Sequence, residues 1–228
     1  MVFPSKRCAF IFLIVAVPVP FACAQQSAPS SGSSSSVPHP RKPAPDASLH
    51  MDLGNVNDGT YRNLSFGFNC KLPQGWVLRT EEMNEGDDEQ PEPSAAGKTG
   101  RVLLAAFSRP PAARGEDVNS SILIAAESAA GYPGLKEAAQ YFGPVTEIAK
   151  AQGFAVAEEP YEFAIGAKTL VRGDFQKDVG SRVMRQSTLV MLVRGYAVSF
   201  TFIGGTEDEV EELIAGLSFA ASAKARQR

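Results

Sequence analysis

Active-site chemistry needs groups that attack, move a proton or hold a metal, and this chain is sparing with them. Its only histidines, His39 and His50, lie before or at the edge of the globular part. A mechanism that needs an imidazole inside the fold therefore has no candidate, which removes Ser-His-Asp and Cys-His catalysis and zinc sites with histidine ligands. Of the three cysteines, Cys8 and Cys23 sit in the N-terminal segment and Cys70 stands alone. There is no CxxC pair for metal or redox work. On a predicted strand and without a nearby histidine to lower its pKa, Cys70 reads as a small buried hydrophobe.

Three charged stretches remain. Ala96-Gly97-Lys98-Thr99 resembles the end of a phosphate-binding loop, but Glu92 stands where the motif requires glycine, and a strand pattern follows instead of a helix. We read it as a chance match. Glu81, Glu82, Glu85, Asp87, Asp88, Glu89 and Glu92 crowd one short segment. Carboxylates at that density attract Ca²⁺, yet the alternating Asp-x-Asp-x-Asp-Gly spacing of a calcium loop is missing. A solvated loop, or a surface for a basic partner, is the expected role. Arg172, Asp174, Lys177, Asp178, Arg182 and Arg185 mix both signs across a strand and turn. Arg172 and Asp174 share one strand face, so an ion pair is expected. Arg172, Asp174 and Arg185 are the candidate ligand-binding residues, a polar patch for an anion; the alternative is a solvent-facing sheet surface with cross-strand pairs. No catalytic, cofactor-binding or metal-binding residue is assigned.

The elements that must position these groups read as strands, a helix, more strands and a closing helix. Residues 61–72 alternate Leu64, Phe66, Phe68 and Cys70 with polar or small residues, the period of a half-buried strand. Pro73-Gln74-Gly75 reads as a turn and 76–78 as the returning strand. Residues 81–100 read as a polar loop, and 102–107 and 122–126 as strands. A helical region spans 135–152, with Gly143-Pro144 predicting a kink or two short helices with Pro144 opening the second. Strands follow at 161–175, interrupted near Gly166, at 184–193 and at 196–202, the last two joined by a tight Arg194-Gly195 turn. Tyr196, Val198, Phe200 and Phe202 form one row, read as core with groove lining as the alternative. Thr206 and Glu209 predict a capping box for a helix carrying Val210, Leu213, Ile214 and Leu217 as its apolar stripe. The fold class is α+β, a largely antiparallel β-sheet packed by helices.

The N-terminus predicts a compartment. Lys6 and Arg7 precede about a dozen apolar residues, short of the roughly 18 that span a bilayer, and Ala22-Cys23-Ala24 forms a small-x-small cleavage site. Residues 1–24 read as a secretory signal peptide, so the protein is expected to be exported, periplasmic or secreted. The alternative is a lipoprotein anchored at Cys23, the one way the chain is expected to meet a membrane. Residues 25–48 are rich in Ser and Pro and read as a disordered linker. One domain is expected over 49–221, with a basic tail at 222–228. Loss of Lys6 and Arg7 leaves twenty Lys and Arg against twenty-five Asp and Glu, a net charge near −5. That balance offers no footprint for nucleic acid.

The Leu72-Pro73-x-Gly75-Trp76 turn, the mid-chain helix before Ile165-Gly166 and Arg172-x-Asp174, the Arg194-Gly195-Tyr196 hairpin and the closing amphipathic helix occur in an order that resembles the PsbP/Mog1-like superfamily. The resemblance covers roughly 61–219 and implies an α/β/α sandwich, common among exported bacterial proteins of unassigned function. It implies no cofactor and a mostly non-catalytic role, such as assisting photosystem II or binding a small GTPase, and no binding residue of either kind has a match here. The expected function is a non-enzymatic accessory or binding module for another protein of the cell envelope. The alternative is a small-molecule-binding or carboxylate-based hydrolytic domain, which requires Asp174 or another acid to meet a second carboxylate in a pocket.

Overall fold

A computed structural model of the chain describes residues 51–85, 100–111, 113 and 118–220. The predicted signal peptide, linker and basic tail lie outside the described residues, as do Asp87, Asp88, Glu89, Glu92 and the Gly97-Lys98-Thr99 match.

All strand pairs are antiparallel. A small sheet has the order β1 (Asn55–Asn57), β2 (Thr60–Asn63), β3 (Phe68–Lys71), β11 (Leu217–Phe219). A seven-stranded sheet has the order β4 (Val77–Leu78), β5 (Gly100–Phe107), β6 (Ser121–Ser128), β10 (Tyr196–Gly204), β9 (Arg182–Val193), β8 (Lys168–Val179), β7 (Ala155–Ile165). The helices are α1 (Thr80–Glu85), α2 (Phe142–Ala151) and α3 (Glu207–Ala215), with single 3-10 turns at Ala129–Gly131 and Ala138–Tyr141.

The small sheet and α3 cover one face of the large sheet. Phe68 meets Phe200 edge-on at 4.8 Å and Phe66 meets Tyr196 at 5.6 Å. Val198, Phe200 and Phe202 are wholly buried, so this row is core. The 3-10 turn Ala138–Tyr141 and α2 cover the other face, where Tyr141, Phe142, Ala149 and Phe154 pack on Phe175, Val190 and Ala197. Farther along that face α1 sets Met83 on Val102, Ala105 and Phe107. The α+β class and the three-layer arrangement follow from these contacts.

Several expected elements differ in detail. Residues 61–72 are a hairpin, not one strand: the Asn63 carbonyl and side chain accept from the backbone N–H of Gly67 and Phe66 (3.0 and 2.9 Å), closing a turn that strands Leu64 in solvent, 85% exposed. The short returning strand at 76–78 does not pair with it; Val77 and Leu78 join β5 of the other sheet. The predicted loop from residue 81 opens as α1, pinned by Asn84, whose amide bonds both the N–H and C=O of Val102. The break at Gly143-Pro144 resolves as a 3-10 turn running into α2, with Pro144 in the first turn, where a missing N–H costs least. Gly166, at φ 59°, turns the predicted 161–175 strand into two longer ones. Thr206 caps α3 as expected, its hydroxyl accepting from the Glu209 N–H at 3.1 Å. The Glu209 carboxylate reaches instead to the Gly205 N–H (2.8 Å) and the Ser120 hydroxyl (2.5 Å), and the helix stops before Leu217, which pairs with Cys70 in the small sheet.

Candidate functional site

Arg172 and Asp174 meet as expected, inside a larger network. They sit two residues apart on β8, so their side chains share the α3 face. Arg172 Nε donates to both Asp174 carboxylate oxygens at 3.0 Å. Its Nη2 donates to the Ser187 hydroxyl at 3.1 Å and pairs with Glu211 of α3 at 2.5 Å. Ser187, directly across from Asp174 on β9, donates its own proton to that carboxylate. The Tyr161 hydroxyl donates to Asp174 at 3.2 Å, and the Phe163 ring lies 5.0 Å beneath the guanidinium. Burial works against the Arg172 charge, but the bonds to Glu211 and Asp174 outweigh it and hold its pKa above the ordinary value. Burial, helped by the Asp174 charge, pushes the Tyr161 phenol up to about 12.

One cation among two carboxylates leaves the network negative, the wrong sign to collect an anion. Its geometry ties α3 to the sheet. Arg185 lies two rungs farther along the same face, opposite Gln176, and no hydrogen bond or ion pair joins it to Arg172 or Asp174 among the described residues. Lys177 points to the other face, where its ammonium donates to the Gln152 carbonyl at 2.7 Å and lies 5.7 Å from the Phe154 ring. A cation there suits the negative end of α2. Asp178 is exposed near the β8–β9 turn.

A second constellation escaped sequence reasoning. Glu127, near the end of β6, is 6% exposed. The Tyr132 hydroxyl donates to its carboxylate, and Tyr141 is near enough to influence its pKa. The two rings meet edge-on at 5.2 Å. Burial raises the Glu127 pKa, and the two phenols only partly counter that by favouring the charged form. Burial also raises the Tyr141 pKa, with the neighbouring Glu127 charge adding to it. Gly100 lies opposite on β5, where a Cβ would come within 2.8 Å of Glu127 Cγ, so only glycine admits this side chain. Chemically this is a buried carboxyl group whose pKa lies above the ordinary value. The one sequence signal for it is an acid directly following the apolar Ile122-Leu123-Ile124-Ala125-Ala126 run.

Beside these lies an open groove of about 390 Å³, between the 136–139 segment and strands β7 and β8. Charged Lys136, Glu137, Glu162 and Lys168 line it together with Thr169, Val171 and Leu192. Among the described residues no group of three or more His, Cys, Asp or Glu is placed to hold a metal ion.

No protein-family model matches the chain, and no curated protein matches it in sequence. Solved structures similar to it include the cyanobacterial PsbP (CyanoP) of Synechocystis sp., 15% identical over 73% of this chain and 96% of that one, with a TM-score of 0.42. The Ran-binding protein Mog1p of Saccharomyces cerevisiae is 14% identical over 73% and 86%, at 0.36. LpqN of Mycobacterium tuberculosis, involved in cell envelope biogenesis, is 14% identical over 75% and 88%, at 0.38. No residue of the Arg172 network, the Glu127 cluster or the groove is assigned from these similarities.

Proposed function

We propose that this protein is an exported binding module that does no chemistry of its own, and that the groove beside β7 and β8 is where it meets another protein of the cell envelope. The observation that carries this reading is where the acids go. Asp174 and Glu211 are held by Arg172, and Glu127 is held by Tyr132. The carboxylates that line the groove, Glu137 and Glu162, are exposed and share it with Lys136, Lys168 and apolar side chains, a surface suited to contact rather than proton transfer. The signal-like N-terminus and the Ser/Pro-rich segment after it support export.

The test is a photo-crosslinking residue at Thr169, inside the groove, compared with one at Asp208 on the exposed side of α3, each in the full chain in its native envelope. The reading expects the same protein to be captured reproducibly from position 169 and not from 208. Equal capture from both positions, or none from 169, overturns it.

Glu127 is the one observation that favours a carboxylate-based hydrolytic domain, since a buried acid with a raised pKa can donate a proton. Such a mechanism also needs a second carboxylate, and among the described residues the groups that act on Glu127 are the phenols of Tyr132 and Tyr141.

A further inference from the structure

Three of the four strands that end a sheet are too short to offer much of an edge: β4 has two residues, and β1 and β11 have three each. β7 is the exception, eleven residues long and last in the seven-stranded sheet. A free edge of that length is a template for another strand unless something blunts it. Its first half is blunted. The register with β8 shifts between Val156 and Glu158 and again between Glu158 and Tyr161, around Pro160, which has no N–H to offer. From Tyr161 to Ile165 the register is unbroken.

Hairpin geometry fixes which main-chain groups of that segment are spare. Ile165 pairs with Lys168 across the two-residue Gly166-Ala167 turn, so these two form a hydrogen-bonded rung. Such rungs alternate with unbonded ones in an antiparallel ladder. Phe163 and Tyr161 therefore bond β8, while the N–H and C=O groups of Glu162 and Ala164 point away from it. Among the described residues no backbone bond joins 161–165 to anything but β8. The side chains of Glu162 and Ala164 are exposed, and Glu162 lines the groove.

The charge of the strand selects its occupant. β7 carries Glu158, Glu159 and Glu162, all exposed, and no Lys or Arg. The cations of the groove lie elsewhere, Lys168 one strand in, opposite Ile165, and Lys136 on the facing wall. A second copy of this chain is the wrong occupant: antiparallel pairing through Glu162 and Ala164 sets the two Glu162 side chains diagonally on one face, where like charges repel. We propose that Tyr161–Ile165 takes an extended segment of the partner protein as an added strand, bonded through the main-chain groups of Glu162 and Ala164, with a lysine or arginine opposite Glu162. The half-buried rings of Tyr161 and Phe163, on the other face, suit apolar residues at the alternate positions of that segment. The acids guard the edge against its own kind and leave it open to a basic strand. This inference rests on the groove being the contact surface and names the form the partner takes there.

The probe is a blocked synthetic peptide, Thr-Lys-Val-Lys-Val-Lys-Thr, added to the full chain, with the same peptide carrying glutamate for lysine as control. Amide exchange followed by NMR reads the site. With the basic peptide, exchange at Glu162 and Ala164 is expected to slow by about tenfold or more, while Phe163 and Ile165, already bonded to β8, change little. Ala164→Pro removes one outward donor where an edge strand tolerates proline, and is expected to weaken the peptide about tenfold or more. Should that variant not fold, Glu162→Lys decides, since it is expected to abolish the preference for the lysine peptide. No slowing at Glu162 and Ala164, equal slowing by both peptides, unchanged affinity in Ala164→Pro, or an unchanged preference in Glu162→Lys overturns the proposal. Capture at Thr169 without peptide pairing leaves the groove as the contact surface and removes the added strand. Pairing without capture leaves the strand site and removes the envelope partner.

Discussion

Arg172 shows what a residue type discloses and what only its neighbours can. An Arg two positions from an Asp on a strand announces an ion pair, and the pair is there. Whether it serves a ligand depends on the third and fourth partners, Ser187 and Glu211, which arrive from another strand and from a helix 39 positions later in the chain. No spacing rule reaches that far. The energetic weight is unequal along the network. The Arg172 side chain is 7% exposed and that of Asp174 17%, while Glu211 is 45% exposed. Truncating the arginine strands a largely buried carboxylate, and Arg172→Ala is expected to cost about 3 kcal/mol or more. Glu211→Gln removes a solvent-screened partner and is expected to cost under about 1 kcal/mol. Urea unfolding of the two variants measures the difference. Equal losses would mean that the α3 contact, not the buried pair, carries the stabilisation.

At the scale of elements, local signals were legible and destinations were not. Thr206 at the start of α3 and Arg194-Gly195 between β9 and β10 are short-range chemistry: a hydroxyl aimed at an N–H three residues on, and two residues with positive φ (51° and 79°) as a two-residue hairpin requires. Of residues 76–78 only Val77 and Leu78 form the expected strand, and a period of two does not say which sheet a strand will join: Val77 crossed to β5. Likewise the 64–70 alternation could not show that Asn63 would capture the chain into a turn. The fit of α2 on the sheet depends on a similar unseen detail. Gly173 of β8 faces Phe142, and a Cβ there would stand 2.5 Å from Phe142 Cε1, on a ring backed by Tyr141, Ala149 and Phe175. Gly173→Ala is therefore expected to overpack this contact and destabilise by about 1–3 kcal/mol, although alanine suits a strand better than glycine does. Pairing Gly173→Ala with Phe142→Leu is expected to recover part of that loss, because the shorter side chain vacates the space. Chemical denaturation of the single and double variants checks it, and a double variant no better than the sum of the two singles would place the strain elsewhere.

For the molecule as a whole, the small sheet and the large one close over groups that cannot ionise where they lie. Tyr61 and Cys70 face each other across β2 and β3, 1% and 0% exposed, and Phe68, two residues along β3 from Cys70, packs on both Tyr61 and Phe200. Burial pushes the Cys70 thiol from 9.0 up to about 12 and the Tyr61 phenol from 10.0 up to about 12. Both folded values lie above the unfolded ones, so the folded state holds its protons longer. The contribution of these two groups is complete below pH 9 and is lost as pH rises from there toward 12, the thiol first and the phenol from pH 10. The loss is expected to be cooperative, since releasing either proton to water means parting the two sheets rather than moving a single side chain. Denaturation midpoints measured between pH 8 and 11.5 should fall steadily in the native chain. Cys70→Ala, although less stable throughout for want of the sulfur's packing, should hold its midpoint from pH 9 to 10 and fall only where Tyr61 begins to ionise. A variant that tracks the native slope from pH 9 would show that the Cys70 thiol is not the source of the early alkaline weakness.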